Sequence, residues 1–363
     1  MIQQRVLLYL LLLSTIACNS NQQTQNFIVG TYTNQDSYGI YTLGLNEKNG
    51  RLFLRDSIRS SNPSFLIYEE KNNKVYAVNE SSFESAQVEA FTYHSANGSL
   101  KKNDSILTRG SDPCHLCLLN NNLFASNYSS GSLTQIPLNE KGLFIGEAYL
   151  TTFSGSGLHP QRQKQSHIHS ATAIPQTNSI LVCDLGTDSI HSLFIDSANN
   201  LTSYASFATE QGSGPRHLVF SPNAENHLYG INELNGKVVF YKQNGGILTS
   251  HQELIADTLQ AAGSAAIKVS PKGDFLYCSN RLKGDGIAIF SIDKNTGSLT
   301  KVGYQLTGKH PRDFSITPSG KFLLVACRDD NRIEVYRRDK RKGTLTLVSK
   351  QRISMPTCIC FVP

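Results

Sequence analysis

The chain lacks any sustained helical periodicity, which leaves neither a helix bundle nor an alternating strand and helix fold open to it. Its longest uninterrupted apolar run, Val6 to Leu13, is too short to cross a bilayer as a finished helix. A zinc site is half present. Cys114-His115-Leu116-Cys117 has the spacing, but no second Cys or His pair matches it, and no paired carboxylates are spaced to hold a divalent ion. The reading is therefore no metal and no cofactor. Charge is also short, with 34 basic against 28 acidic residues for a net +6. Part of that excess is the cluster Arg337 to Lys342, which precedes Gly343 without interleaved aromatics and reads as a solvated hairpin, so nucleic acid is not an expected partner.

What the chain does have is a hidden repeat. A polar residue opens an apolar strand that reaches a Pro or turn residue six positions later, clearest at Arg216 to Pro222 and Arg312 to Pro318. The same pattern starts at His169, Ala265 and Thr357, and more loosely at Cys114 and Ser64, so the seven openings lie 45 to 55 residues apart. That is the period of propeller blades. About fifteen residues after six of the openings a second apolar strand ends in a pair: Asn79-Glu80, Asn127-Tyr128, Asp184-Leu185, Asn232-Glu233, Asn280-Arg281 and Cys327-Arg328.

The seventh repeat stops at Pro363, and its missing strands stand at the other end, in Phe27 to Tyr32 and Tyr38 to Leu43. The expectation is an all-β, seven-bladed propeller whose last blade joins a C-terminal inner strand to N-terminal outer strands, which closes the ring and hides its edges. Turn signals such as Asn97-Gly98, Lys141-Gly142 and Lys342-Gly343 agree. A single domain is placed over residues 26–363.

The first residues read differently. Arg5 and the apolar run after it form an export signal over residues 1–17. Thr15-Ile16-Ala17-Cys18 resembles a lipobox, with Thr15 where Leu is usual, so Cys18 is the expected lipidation site and residues 18–25 a polar tether. The expected location is the cell envelope, by a membrane anchor. Seven further cysteines cannot all pair within one chain, and most sit in apolar strands where a thiol acts as a small hydrophobe. A disulfide between adjacent inner strands stays open for an exported protein.

A further set of segments runs through the whole mature chain: Ile28 to Thr33, Asn62 to Leu66, Tyr76 to Glu80, His167-Ile168-His169-Ser170, Gly214-Pro215-Arg216-His217, Ile231 to Leu234, Tyr277 to Arg281 and His310-Pro311-Arg312. In these the chain resembles the lactonase family of seven-bladed propellers, which includes cycloisomerase-type 6-phosphogluconolactonases and fungal carboxy-muconate lactonizing enzymes. The resemblance implies a catalytic group of His169, Arg216, Glu233 and Arg281. The repeat independently sets His169, Arg216 and Arg312 at one equivalent position and Glu233 and Arg281 at another, so a ring would bring them to one end of its channel.

Opening a lactone with water needs a base, a cationic site for the oxyanion and an acid for the leaving alkoxide. Glu233 is the expected base, with His169 as alternative or as the acid. The arginines are expected to hold anions through their planar forks. His167, Arg312, Asp184, Asn232 and Asn280 are candidate substrate-binding residues, whereas Asn79 and Asn127 read as turn formers. The expected partner is a small anionic sugar lactone, bound by a monomer. A muconate-type cycloisomerase, or a propeller that binds sugar acids or a protein without turnover, would use the same residues. Two departures stand out. The leader separates the protein from cytosolic sugar phosphates, and Cys327-Arg328-Asp329-Asp330 replaces an Ala-Asn-Gln type strand end, so that side of the pocket should differ.

Overall fold

The computed structural model describes residues 24–363, so the leader, the lipobox and Cys18 lie outside the described residues. Seven four-stranded antiparallel sheets account for all the strands described. Blades 1 to 6 run in chain order over residues 66–107, 113–152, 168–208, 215–255, 264–306 and 311–352. Blade 7 takes Pro356–Val362 as its innermost strand and Thr24–Thr31, Gly39–Asn46 and Leu52–Arg59 as the others. Innermost strands contact one another in sequence around the ring and back to blade 1. The only helical turn among the described residues is the 3-10 segment Arg328–Asp330.

The clasp is a paired ladder, with Asn26 opposite Val362 and Gly30 opposite Cys358. Gln25 Nε2 donates to Val362 O at 2.7 Å and Asn26 Nδ2 to Pro363 O at 3.0 Å. Thr24 and Gln25, expected outside the propeller, belong to this strand.

The apolar side chains form seven clusters, one in each seam between neighbouring blades. Phe124 and Leu133 of blade 2, for example, pack on Ile180 and Val182 of blade 3, and Tyr277 and Ile289 of blade 5 on Leu323 and Val325 of blade 6. Burying such a side chain stabilises by roughly 1.5–3 kcal/mol. Three seams add a repeated latch. Tyr76, Tyr229 and Tyr277 each donate a hydroxyl to the carbonyl of a hairpin glycine in the next blade, Gly142, Gly297 and Gly343, at 2.7–2.8 Å. Those glycines have φ of 69°, 80° and 75°, a turn conformation that L side chains rarely adopt.

The seven described cysteines are free thiols. Cys117, Cys183, Cys278, Cys327 and Cys358 are buried in five different seams, which keeps them from pairing. Among the described residues no group of three or more His, Cys, Asp or Glu side chains is arranged to hold a metal, and no helix is long and apolar enough to cross a membrane.

Candidate active site

In five of the seven blades the residue that opens the repeat is a bulge. In blades 2, 3, 4 and 6 the ladder passes from Pro113, Ile168, Pro215 and Pro311 directly to His115, Ser170, His217 and Asp313, leaving Cys114, His169, Arg216 and Arg312 unpaired. Thr357 is skipped in the same way in blade 7. A bulge re-aims its side chain, and here Cys114, His169, Arg216 and Arg312 all line one cavity of about 340 Å³ at one end of the ring. The second contribution is the residue just past the end of the second strand in five blades. Glu80, Tyr128, Glu233, Arg281 and Arg328, from blades 1, 2, 4, 5 and 6, line the same cavity, joined by Arg162, Leu282 and His310.

Glu233 is the hub of one wall. Arg216 Nε lies 2.8 Å and Arg281 Nη2 3.2 Å from its Oε2, while Arg162 Nη2 lies 2.6 Å from its Oε1. His169 Nε2 is 4.0 Å from Oε2. The carboxylate is 5% exposed and Arg216 2%, so these are buried charges. Burial alone would push the Glu233 carboxyl up, but Arg281, Arg216 and Arg162 together hold it well below the ordinary carboxylate range. Burial and the adjacent Arg216 pull His169 well below 6.5, so at neutral pH it is an uncharged imidazole. Burial likewise lowers Arg281 to about 9 although Glu233 opposes this, which leaves the guanidinium ionised at neutral pH.

The fold holds these groups by the backbone. Arg216 Nη1 donates to Ala265 O at 2.6 Å and Arg281 Nε to Gly263 O at 2.7 Å, so each arginine spans to a neighbouring loop or strand. Three guanidiniums face one carboxylate, so this wall carries excess positive charge. His310, pulled to about 3 by burial and its cationic neighbours, stands between Arg281 (3.4 Å) and Asp329 (3.3 Å). The departing strand end noted in the sequence thus delivers Arg328 to the cavity through the 3-10 turn.

His169, Arg216, Glu233, Arg281 and Arg312 are therefore brought together. His167, Asp184, Asn232 and Asn280 are not. His167 lies behind Tyr128, its ring stacked at 4.4 Å and its Nδ1 2.9 Å from Tyr128 O. Asp184 is fully buried and binds Ser166 Oγ, His167 N and Gly186 N. Asn280 is clamped between Ser264 Oγ and Ala256 O, and Asn232 is buried without lining the cavity. For Asp184, Asn232 and Asn280 the reason is strand alternation: successive side chains point opposite ways, so the residue closing a strand faces the blade body and the next one faces the cavity. Asn79 and Asn127 obey the same rule, each donating within its own blade or the loops beside it.

Glu80, Tyr128 and Arg328 stand second in the strand-end pairs of blades 1, 2 and 6, so their place at the cavity follows from the same register, although they were not among the expected site residues. Arg162 had no such signal. It comes from the long loop between blades 2 and 3, fixed by Gln163, whose Nε2 donates to Leu185 O at 2.9 Å and Asp188 Oδ1 at 2.6 Å.

A closed ring of seven blades with a buried carboxylate among guanidiniums and a neutral imidazole at one channel mouth defines a propeller built to take a small anion. The family description "Lactonase, 7-bladed beta-propeller" matches residues 26–362, and the chain belongs to this family. A Formosa agariphila protein named 6-phosphogluconolactonase is 35% identical over 342 residues, 90% of this chain and 96% of that protein. A solved Bacteroides fragilis structure, provisionally named a 6-phosphogluconolactonase, superposes with a TM-score of 0.91 at 40% identity, covering 95% of this chain and 99% of that one. A Pseudomonas aeruginosa periplasmic gluconolactonase superposes with a TM-score of 0.88 at 26% identity over 94% and 99% of the two chains.

Proposed function

We propose that the protein hydrolyses the lactone of an anionic sugar. The observation that carries this is Glu233 held by Arg162, Arg216 and Arg281 with the uncharged His169 beside it, inside a cavity of sugar size. The names of the relatives support the same reaction class.

The geometry redistributes the expected roles. Glu233 was the expected base, but both its oxygens are taken up by guanidiniums, whereas His169 is uncharged at neutral pH and makes no ion pair shorter than 4.0 Å, so the imidazole is the group left to accept a proton. His169 takes a proton from water as the water oxygen adds to the lactone carbonyl carbon. The carbonyl oxygen becomes an oxyanion beside Arg216 and Arg281, and Glu233 stabilises the imidazolium. Collapse breaks the ring C–O bond, and the leaving alkoxide takes the proton back from His169. The products are a hydroxyl and a carboxylate, whose proton passes to solvent.

Acid release in a pH-stat from a panel of phosphorylated and unphosphorylated aldonolactones tests this. The expected result is turnover by the wild type and its loss in His169→Asn. Full activity retained in both Glu233→Gln and Arg216→Ala would overturn the reading, and binding without acid release from any lactone would favour a binding platform. The leader, together with the periplasmic relative, supports an envelope lipoprotein anchored at Cys18. Palmitate labelling of the wild type that disappears in Cys18→Ala is the expected outcome.

A further inference from the structure

The cavity has a second acidic centre that the reaction above does not use. Glu80 follows the second strand of blade 1, at the same register as Glu233 but three blades away. Tyr32 Oη donates to its Oε1 at 2.7 Å, and the Ser64 hydroxyl donates to its Oε2. Arg312 Nη2 is 3.5 Å from Oε2, with its guanidinium carbon 5.1 Å from the centre of the Tyr32 ring. The four residues come from blades 7, 1 and 6 and the linker before blade 1, so ring closure itself assembles them.

A carboxylate has about four acceptor positions. Two hydroxyls fill two of those on Glu80, and the one guanidinium nearby is at ion-pair distance. The side chain is 17% exposed, and it lines the cavity shared with His169 and Arg281. An anion is repelled from such a group and drawn to the opposite wall, where three guanidiniums share one carboxylate. Neutral hydroxyl groups are what a positioned carboxylate with free lone pairs accepts from, as acidic side chains do with ribose hydroxyls.

We propose that Glu80, held by Tyr32, Ser64 and Arg312, is a subsite for the hydroxyl groups of the substrate. It selects polyhydroxylated acids and lactones over plain aliphatic ones and turns their anionic or carbonyl end toward Glu233. The assignment rests on the lactone-hydrolase reading, deepens it by naming the substrate class, and is tested without turnover.

The probes are D-gluconate and hexanoate, acids of equal chain length with and without hydroxyls, titrated calorimetrically into the full chain and two variants. Wild type should bind gluconate more tightly than hexanoate. Glu80→Gln should weaken gluconate about tenfold to a hundredfold and leave hexanoate within about twofold, since it removes charged hydrogen bonds of this kind. Tyr32→Phe should give a smaller loss in the same direction, which keeps the test alive if Glu80→Gln folds poorly. Equal losses for both acids, no loss for either, or a wild type that does not prefer gluconate would overturn the assignment. Failure of the lactonase reading would show instead as wild-type gluconate binding with no acid release from any lactone.

Discussion

Glu233 and Glu80 occupy one register position on opposite sides of the same ring, yet they are chemically unlike. Glu233 is fixed by nitrogen donors, two guanidiniums on one oxygen and a third on the other. Glu80 is fixed by hydroxyls, with one guanidinium at longer range. The repeat therefore decides where a side chain points, and neighbouring blades decide what it can do. The wall around Glu233 is an electrostatic device for an anion and its transition state; the wall around Glu80 offers acceptors.

The largest effect expected is at Glu233. Its removal leaves Arg162, Arg216 and Arg281 crowded without a counter-charge, so Glu233→Ala should lower kcat by at least about a hundredfold and destabilise the fold by about 3–5 kcal/mol, read by steady-state kinetics and denaturant titration. A loss of activity without a loss of stability would show that the arginines rest on their backbone carbonyls instead. Next is His169→Asn, which should cost about 10²–10⁴ in kcat with little change in KM.

A pH series sharpens the same contrast. His169 must be unprotonated to act and its pKa lies below 6.5, so kcat/KM should hold through pH 6.5 and fall only in more acidic solution. An acid limb at or above 6.5 would assign the base elsewhere.

Stability follows the same sign. His115, His169 and His217 meet around the channel axis, with ring centres 5.1 and 5.2 Å apart, and Phe65 stacks on His115 at 4.3 Å. His115 and His217 are partly buried and His169 is buried, and burial lowers all three. Below pH 6.5 the unfolded chain takes up protons that the folded chain refuses. Folding free energy should then fall by roughly 1 kcal/mol per pH unit for each histidine as pH drops from 6.5 toward their folded values. His115→Phe should flatten that slope. The smallest effect expected is for Arg162→Lys, at a side chain 36% exposed, where KM for an anionic lactone should rise a few-fold with kcat nearly unchanged.

The ring, its seam cores and its clasp were legible because each depends on a pattern repeated down the chain: bulge residues such as Arg216 and Arg312, strand-end pairs such as Asn232-Glu233, and two terminal segments that complete one blade. His169, Arg216, Glu233, Arg281 and Arg312 could be found because they sit on that pattern. Asp184, Asn232 and Asn280 were placed one residue out of phase, since alternation turns the last strand residue into the blade. Arg162 was invisible because it enters from a loop that no repeat governs. Free cysteines in five separate seams likewise follow from three-dimensional spacing, which an odd count only hints at.

The most direct measurement is acid release from an anionic sugar lactone by wild type, Glu233→Gln, Arg216→Ala and His169→Asn, side by side at pH 7. Guanidiniums gathered on one buried carboxylate beside a neutral imidazole predict turnover in the wild type and at least about a hundredfold loss in each variant. Wild-type rates in Glu233→Gln and Arg216→Ala would contradict it.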